Sequence, residues 1–359
     1  YEIGVRLVGS AMCIRDRQKS YFSCYPSFRC LAAACPDSCC VGWEIVVDPC
    51  TETKYQTVQG TLGQKIRRVL TTDSDGDRIF TLLENERCPF WNTAHLCELQ
   101  LELGEEGLCD TCRQFPRMKQ DYGTFQEYYL SLACPEAARL ILSQPRLTLQ
   151  TQCAEEEQEI QADYDEKRMQ FLQASREQLA SILYDTAHAL PERLARCLQY
   201  GDALQLQWDT VYHPQLPELP VWRSGSEIPS NWMRSLLAVH QKMECMTELF
   251  PRLLKQANQA DSWTPWQKAW ETKQVNYCIA MLFQYYLQAI ADDAILIKLE
   301  RITASLLVIG AMAQAGSLPI EQCVQLYVKE VDHSEENKVL LEEFLQTEGT
   351  AFLQCSGLL

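Results

Sequence analysis

The sequence predicts a mainly α protein, with a cysteine-rich, loop-rich metal-binding N-terminal half followed by a helical bundle or array. Two observations carry this. Ten of the 18 cysteines fall between Cys30 and Cys134, in a stretch punctuated by Gly and Pro, and only six follow. After Gln144-Pro145 the texture changes to apolar residues recurring at helical spacing. The expected organisation is a cysteine-rich unit over 20–145 and a helical unit over 146–359. Residues 1–19 are set apart, because Leu7–Arg17 resembles a translated sequencing adapter; Cys13 is excluded with them.

Composition narrows the function classes. A chain of 359 residues can build one large domain or two moderate ones. Apolar residues at 47% and charged residues at 22% are ordinary for a globular protein. A net charge of −16 argues against general nucleic-acid binding, which needs clustered Lys and Arg. It favours a basic partner segment, such as one presenting lysine. No run of apolar residues is long enough for a membrane span, and no signal peptide is evident, so a cytoplasmic protein is expected. Densely packed cysteines in that compartment are more often metal ligands than disulfides.

Taken in order, Glu44–Asp48 reads as a short strand or a helix lead-in. Asp73-Ser-Asp-Gly-Asp77 reads as a solvated turn with Gly76 at its tip; it lacks the flanking helices of a calcium loop. Beyond Pro145, Leu172, Leu179, Leu183 and Leu190 are expected on one helical face. Leu236, Val239, Met243, Met246 and Phe250 form a second stripe. Val275, Cys278, Ile279, Leu282, Phe283, Tyr286, Leu287 and Ile290 form a third. Further helices are expected near 293–314, 319–330 and 335–352, with links at 213–232 and 261–266. These stripes read as core. Cys50, Cys153, Cys197, Cys245, Cys278, Cys323 and Cys355 read as packing residues, since free cysteine is among the most buried types.

The candidate metal ligands are nine cysteines in four blocks: Cys30, Cys35, Cys39 and Cys40; Cys88 and Cys97; Cys109 and Cys112; Cys134. A soft metal or cluster needs several thiolates drawn together. A two-residue gap lets Cys109 and Cys112 reach one centre. Pro after Cys88 and Cys134 stiffens the backbone beside a ligand. Arg113, Arg117 and Arg139 are available to offset thiolate charge, or to make ordinary surface pairs. Nine thiols exceed the four of one structural zinc or one cluster, so some must be buried or redox-active. Spacing does not choose iron over zinc. His95 is the only histidine in the region and reads as a turn residue.

The run Cys30-x4-Cys35-x3-Cys39-Cys40-x-Gly42-Trp43 resembles the opening of the flagellin lysine-N-methylase family, FliB. So do Cys88-Pro-Phe, Gly104-Glu-Glu-x-Leu-Cys109-x-x-Cys112-x-x-Phe-Pro-Arg117 and Ser131-Leu-x-Cys134-Pro-Glu-Ala-Ala-Arg139. The resemblance covers about 22–143. A broader group of zinc- or iron-chelating cysteine-cluster proteins shares a looser pattern. The resemblance implies transfer of methyl groups from S-adenosylmethionine to flagellin lysines, with a 4Fe–4S cluster, in the cytoplasm before export. His95 departs from the family, which has Gly there; Gly serves positive φ.

Methyl transfer needs a neutral amine, whereas lysine in water has a pKa of about 10.4. Glu127, Tyr128, Tyr129 and Glu136 are the candidate helpers, each also readable as structural. An open iron position could anchor the amino and carboxylate groups of the methyl donor, or the cluster could be structural. No radical-type Cys-x3-Cys-x2-Cys spacing is present, since position 42 is Gly, and no Gly-rich loop follows a strand. Two rival readings stand: a non-catalytic zinc- or iron-binding interaction module, and a thiol redox or metal-trafficking protein.

Overall fold

The computed structural model describes residues 16–155, 165–219 and 229–354. The cysteine-rich half starts with β1 (Asp16–Phe22), followed by α1 (Pro49–Thr57) and α2 (Gly60–Val69). Then come the hairpin β2 (Leu70–Thr72) and β3 (Arg78–Phe80), and the short helices α3 (Glu98–Leu103) and α4 (Asp110–Gln114). Next are β4 (Arg117–Asp121), β5 (Phe125–Leu130), α5 (Pro135–Leu142) and β6 (Leu149–Glu155). Glu44–Asp48 is both: Val46 bridges Ile79 in extended backbone, and Asp48 then accepts a hydrogen bond from Thr51 N as Pro49 opens the helix. Asp73–Asp77 is the turn between β2 and β3, closed by Asp73 Oδ1 accepting from Asp75 N and Asp77 N. Strands rather than helices flank it.

The sequence reading missed a four-stranded sheet of order β4-β5-β1-β6. β1 runs parallel to β5 and antiparallel to β6. Its strands are short and polar, so no clean alternation announces them. Of the segment set apart as 1–19, residues 1–15 lie outside the described residues, whereas Asp16–Lys19 pair in β1.

Among the described residues, nine helices follow: α6 (Glu166–Tyr184), α7 (Leu190–Thr210), α8 (Ser230–His240), α9 (Leu249–Gln259), α10 (Glu271–Tyr285), α11 (Ala289–Asp292), α12 (Leu296–Gly316), α13 (Ile320–Tyr327) and α14 (Glu335–Gln354). The chain is mainly helical, as expected. The three apolar stripes are each broken, however. α6 buries Leu172, Leu179 and Leu183, but Leu190 belongs to α7; the turn between them is fixed by Asp185 accepting from Ala187 N. The second stripe breaks at 241–248. Other elements satisfy that loop's backbone: Glu330 accepts from Met246 N at 2.7 Å, and Asn337 bonds Glu244 N and O. The third stripe passes through a tight turn at Tyr286–Gln288 into α11. α13 continues into a π-helical turn, Val328–Asp332.

Buried apolar residues form two clusters. The larger joins Phe22, Phe28, Leu132 and Ile141 to Leu172, Leu198, Leu282, Leu306 and Val324. The sheet and α5 thus pack directly on the helices. The smaller contains Ile45, Tyr55, Ile66, Phe80, Phe90 and Leu99, together with Cys88 and Cys109.

Candidate functional site

The nine cysteines form two groups. Cys30, Cys35, Cys39 and Cys134 line one cavity, whose walls include Phe28, Trp43 and Phe115 and the charged groups Asp37, Glu136 and Lys329. Cys30 and Cys35 flank the short turn Ala32–Ala34, and Cys134 caps α5 with Pro135 at its start. The other five belong to the smaller core: Cys88 and Cys109 are buried, and Cys40, Cys97 and Cys112 pack against it. Cys88 N donates to Cys40 O at 2.8 Å, which ties the first and second blocks together. Cys97 precedes α3 and Cys109 caps α4.

Thiol chemistry differs within these groups. Burial pushes Cys88 up to about 12 and Cys134 up to about 11, and raises Cys35 and Cys97. Two pairs hydrogen-bond thiol to thiol. A hydrogen bond from Cys39 lowers Cys40 to about 7, and the same bond raises Cys39. A hydrogen bond from Cys112 lowers Cys109 and raises Cys112.

Among the described residues, no three cysteine, histidine or carboxylate side chains converge closely enough to hold a metal ion. The expected single point of convergence is not seen. The physical reason is that a buried, protonated thiol gains little from facing another, so a ligand set is drawn together by metal binding itself.

The helical half contributes Lys329 to the cavity wall and packs other residues behind it. Gly42 has φ +83°, a conformation open to Gly, and a Cβ there would sit 3.4 Å from Met246 Cβ. His333 stands edge-on to Trp43 at 4.9 Å and shares a 2.7 Å hydrogen bond between Nε2 and Ser131 Oγ. Lys329, 2% exposed, donates to Asp37 Oδ1 at 2.7 Å. The sequence reading missed Asp37, Met246, Lys329 and His333. A lone lysine inside the apolar run Tyr327-Val328-Lys329-Glu330-Val331 was the one available signal.

Several candidates have other commitments. Glu127 is 2% exposed and bound through both oxygens to Arg176, at 2.5 and 2.8 Å. Tyr128 donates to Gln126 Oε1 at 2.8 Å. Glu136 lines the cavity but is held by Arg139 at 2.6 Å, a pair that keeps its carboxyl below the usual range. Burial pushes Tyr129 up to about 12, and Asp332 adds to the shift. Arg113 pairs with Asp110, while Arg117 lies over the Phe28 ring at 4.9 Å. Of the cysteines read as packing, Cys197, Cys278 and Cys323 are buried. Cys50, Cys153 and Cys245 are exposed, contrary to expectation, since they stand at solvent-facing positions; Cys355 lies outside the described residues. His95 adopts φ +61°, the left-handed region expected of Gly there, with its ring against Trp91 at 4.9 Å.

No protein-family model matches the chain, and no solved structure matches it. The chain is similar to the lysine-N-methylases of Salmonella typhimurium and Salmonella choleraesuis, each 34% identical over 131 residues. Those matches cover 33% of this chain and 31% of each relative, so the chain spans about a third of their length. It is also similar to the flagellar biosynthetic protein FliU of Salmonella muenchen, 34% identical over 123 residues, which cover 33% of this chain and 73% of that protein. Among the described residues, no helix is long and apolar enough to cross a membrane. At that identity and coverage, the chain belongs to the family of the flagellar biosynthetic protein FliU.

Proposed function

We propose that this protein is a lysine N-methyltransferase that uses S-adenosylmethionine, acts on flagellin in the cytoplasm, and holds a 4Fe–4S centre through Cys30, Cys35, Cys39 and Cys134. The similarity to proteins named lysine-N-methylase carries the reaction class. The donor set supports the centre: four soft thiols line one cavity, the number a cluster takes. The five-cysteine group lies in a packed core with less room for a substrate.

In the reaction the lysine nitrogen attacks the methyl carbon, the carbon–sulfur bond breaks toward sulfur, and the nitrogen then loses a proton. The centre would supply a Lewis-acidic or structural anchor. The chain's part is to exclude water and to orient both partners. Phe28, Trp43 and Phe115 offer aromatic faces suited to a sulfonium cation. Burial among such walls also disfavours a charged amine, which helps to deprotonate it.

The thiol neighbours Cys39–Cys40 and Cys109–Cys112, all free, favour a second reading, thiol redox chemistry. The test uses anaerobically purified protein, labelled S-adenosylmethionine and the cognate flagellin. Label on lysine side chains is expected. Its absence, with the metal centre intact, would overturn the methylase reading; a colourless protein with stoichiometric zinc would overturn the cluster.

A further inference from the structure

The loop Cys35-Pro-Asp-Ser-Cys39 contributes two of the cavity's four thiols, yet it carries little regular structure of its own. What fixes it comes from almost 300 residues away. Asp37, midway along the loop, is gripped by both carboxylate oxygens. Lys329 Nζ donates to Oδ1 at 2.7 Å, and Gln325 Nε2 donates to Oδ2 at 2.8 Å. Gln325 Nε2 also donates to Ala133 O at 2.9 Å, beside Cys134. One glutamine therefore registers the loop against the segment that carries the fourth thiol.

The clamp is built into the interior. Lys329 is 2% exposed and Gln325 6%. Gln325 lies on α13, and Lys329 on the π-helical turn that follows it. Single π turns re-aim side chains and recur at functional sites. Burying an ammonium is costly unless it is paired. Lys329 has Asp37 as partner, and it lines the thiol cavity. An ammonium carries three N–H donors, so donors remain for groups in that cavity. A neutral side chain of similar length would fill the space without this cost. Gathering several thiolates is the circumstance in which a buried cation is stabilising.

We propose that Lys329 is a positioning residue of the four-cysteine cavity: with Gln325 it holds Asp37, and through it the Cys35–Cys39 loop, and its charge offsets the thiolates when the cavity receives a metal centre. The inference rests on the reading of this cavity as the metal site. It makes the helical half part of the site, so the cysteine-rich half is incomplete without it.

The test uses the full chain as wild type, K329M and K329R, with release of bound iron or zinc to a chelator as the first measurement. K329M is expected to release metal about tenfold faster or more, the usual scale for residues that orient ligands. K329R keeps the charge and is expected to stay within about threefold of wild type. Equal release by wild type and K329M would overturn the proposal, as would K329R behaving like K329M. The second measurement is amide hydrogen exchange over 31–40 in metal-free protein. Faster exchange in K329M confined to this loop is expected, and unchanged exchange would overturn the clamp. If wild type binds no metal, the metal reading fails by itself, and the exchange measurement still decides whether Lys329 holds the loop.

Discussion

The cysteines of the two halves are the same residue in two different states. In the helical half, Cys278 and Cys323 are fully buried among apolar side chains, and burial pushes both thiols up to about 12. They are held as neutral, inert packing groups. In the cysteine-rich half, thiols meet other thiols: Cys39 bonds Cys40, Cys109 bonds Cys112, and Cys39 lines one cavity with Cys30, Cys35 and Cys134. Residue type does not separate the two uses. Company does, because a thiolate needs a neighbouring donor or cation and an apolar wall supplies neither.

The largest effect that would break this comparison is on metal content. Cys134→Ser is expected to lower metal affinity about ten- to a hundredfold. Cys278→Ser is expected to keep full metal occupancy and to cost about 1–3 kcal/mol of stability, through a hydroxyl buried without a partner. Elemental analysis and thermal melts of both variants read this out. Equal metal loss in both would show that the distinction between the two thiol environments is wrong.

A pH experiment sharpens the comparison from the helical side. Glu300, 5% exposed, stands in α12 near Asp202 of α7, and burial pushes its carboxyl up to about 7. A raised folded-state pKa means that stability is fully present below the ordinary value of about 4.5 and is lost as pH rises through about 7. Glu300→Gln is therefore expected to stabilise the protein by about 2–3 kcal/mol at pH 8, and to make no difference near pH 4. Denaturant unfolding at the two pH values checks it. A gain independent of pH would mean that ionisation is not the cause.

The smallest effect lies in the cysteine-rich half. His95 occupies a left-handed conformation that costs an ordinary residue about 1 kcal/mol. Its ring contact with Trp91 offsets part of that. His95→Gly should change stability by less than about 1 kcal/mol and leave metal content alone. A larger loss, measured in the same melts, would mark the ring contact as structural.

Much of the architecture was legible in the chain. The mainly helical character follows from local periodicity, as do the helices expected near 293–314 and 335–352, which form as Leu296–Gly316 and Glu335–Gln354. The stripes broke where a loop's backbone found partners elsewhere, as Glu330 and Asn337 do for 244–247. No local pattern announces that. The sheet was hidden for a similar reason: β1 pairs with strands more than a hundred residues away.

What the sequence determined by itself is the inventory: nine clustered thiols in four blocks, a helical remainder and a net charge of −16. Only the tertiary structure decided how the thiols divide, because membership in the cavity or in the small core depends on which distant segments pack together. It also decided that Lys329 lines the cavity, that Gln325 and His333 hold its wall residues Asp37 and Trp43, and that Met246 packs at Gly42. Spacing along a chain specifies which ligands can turn toward one point. Burial, charge pairing and shape complementarity between segments choose which of them do.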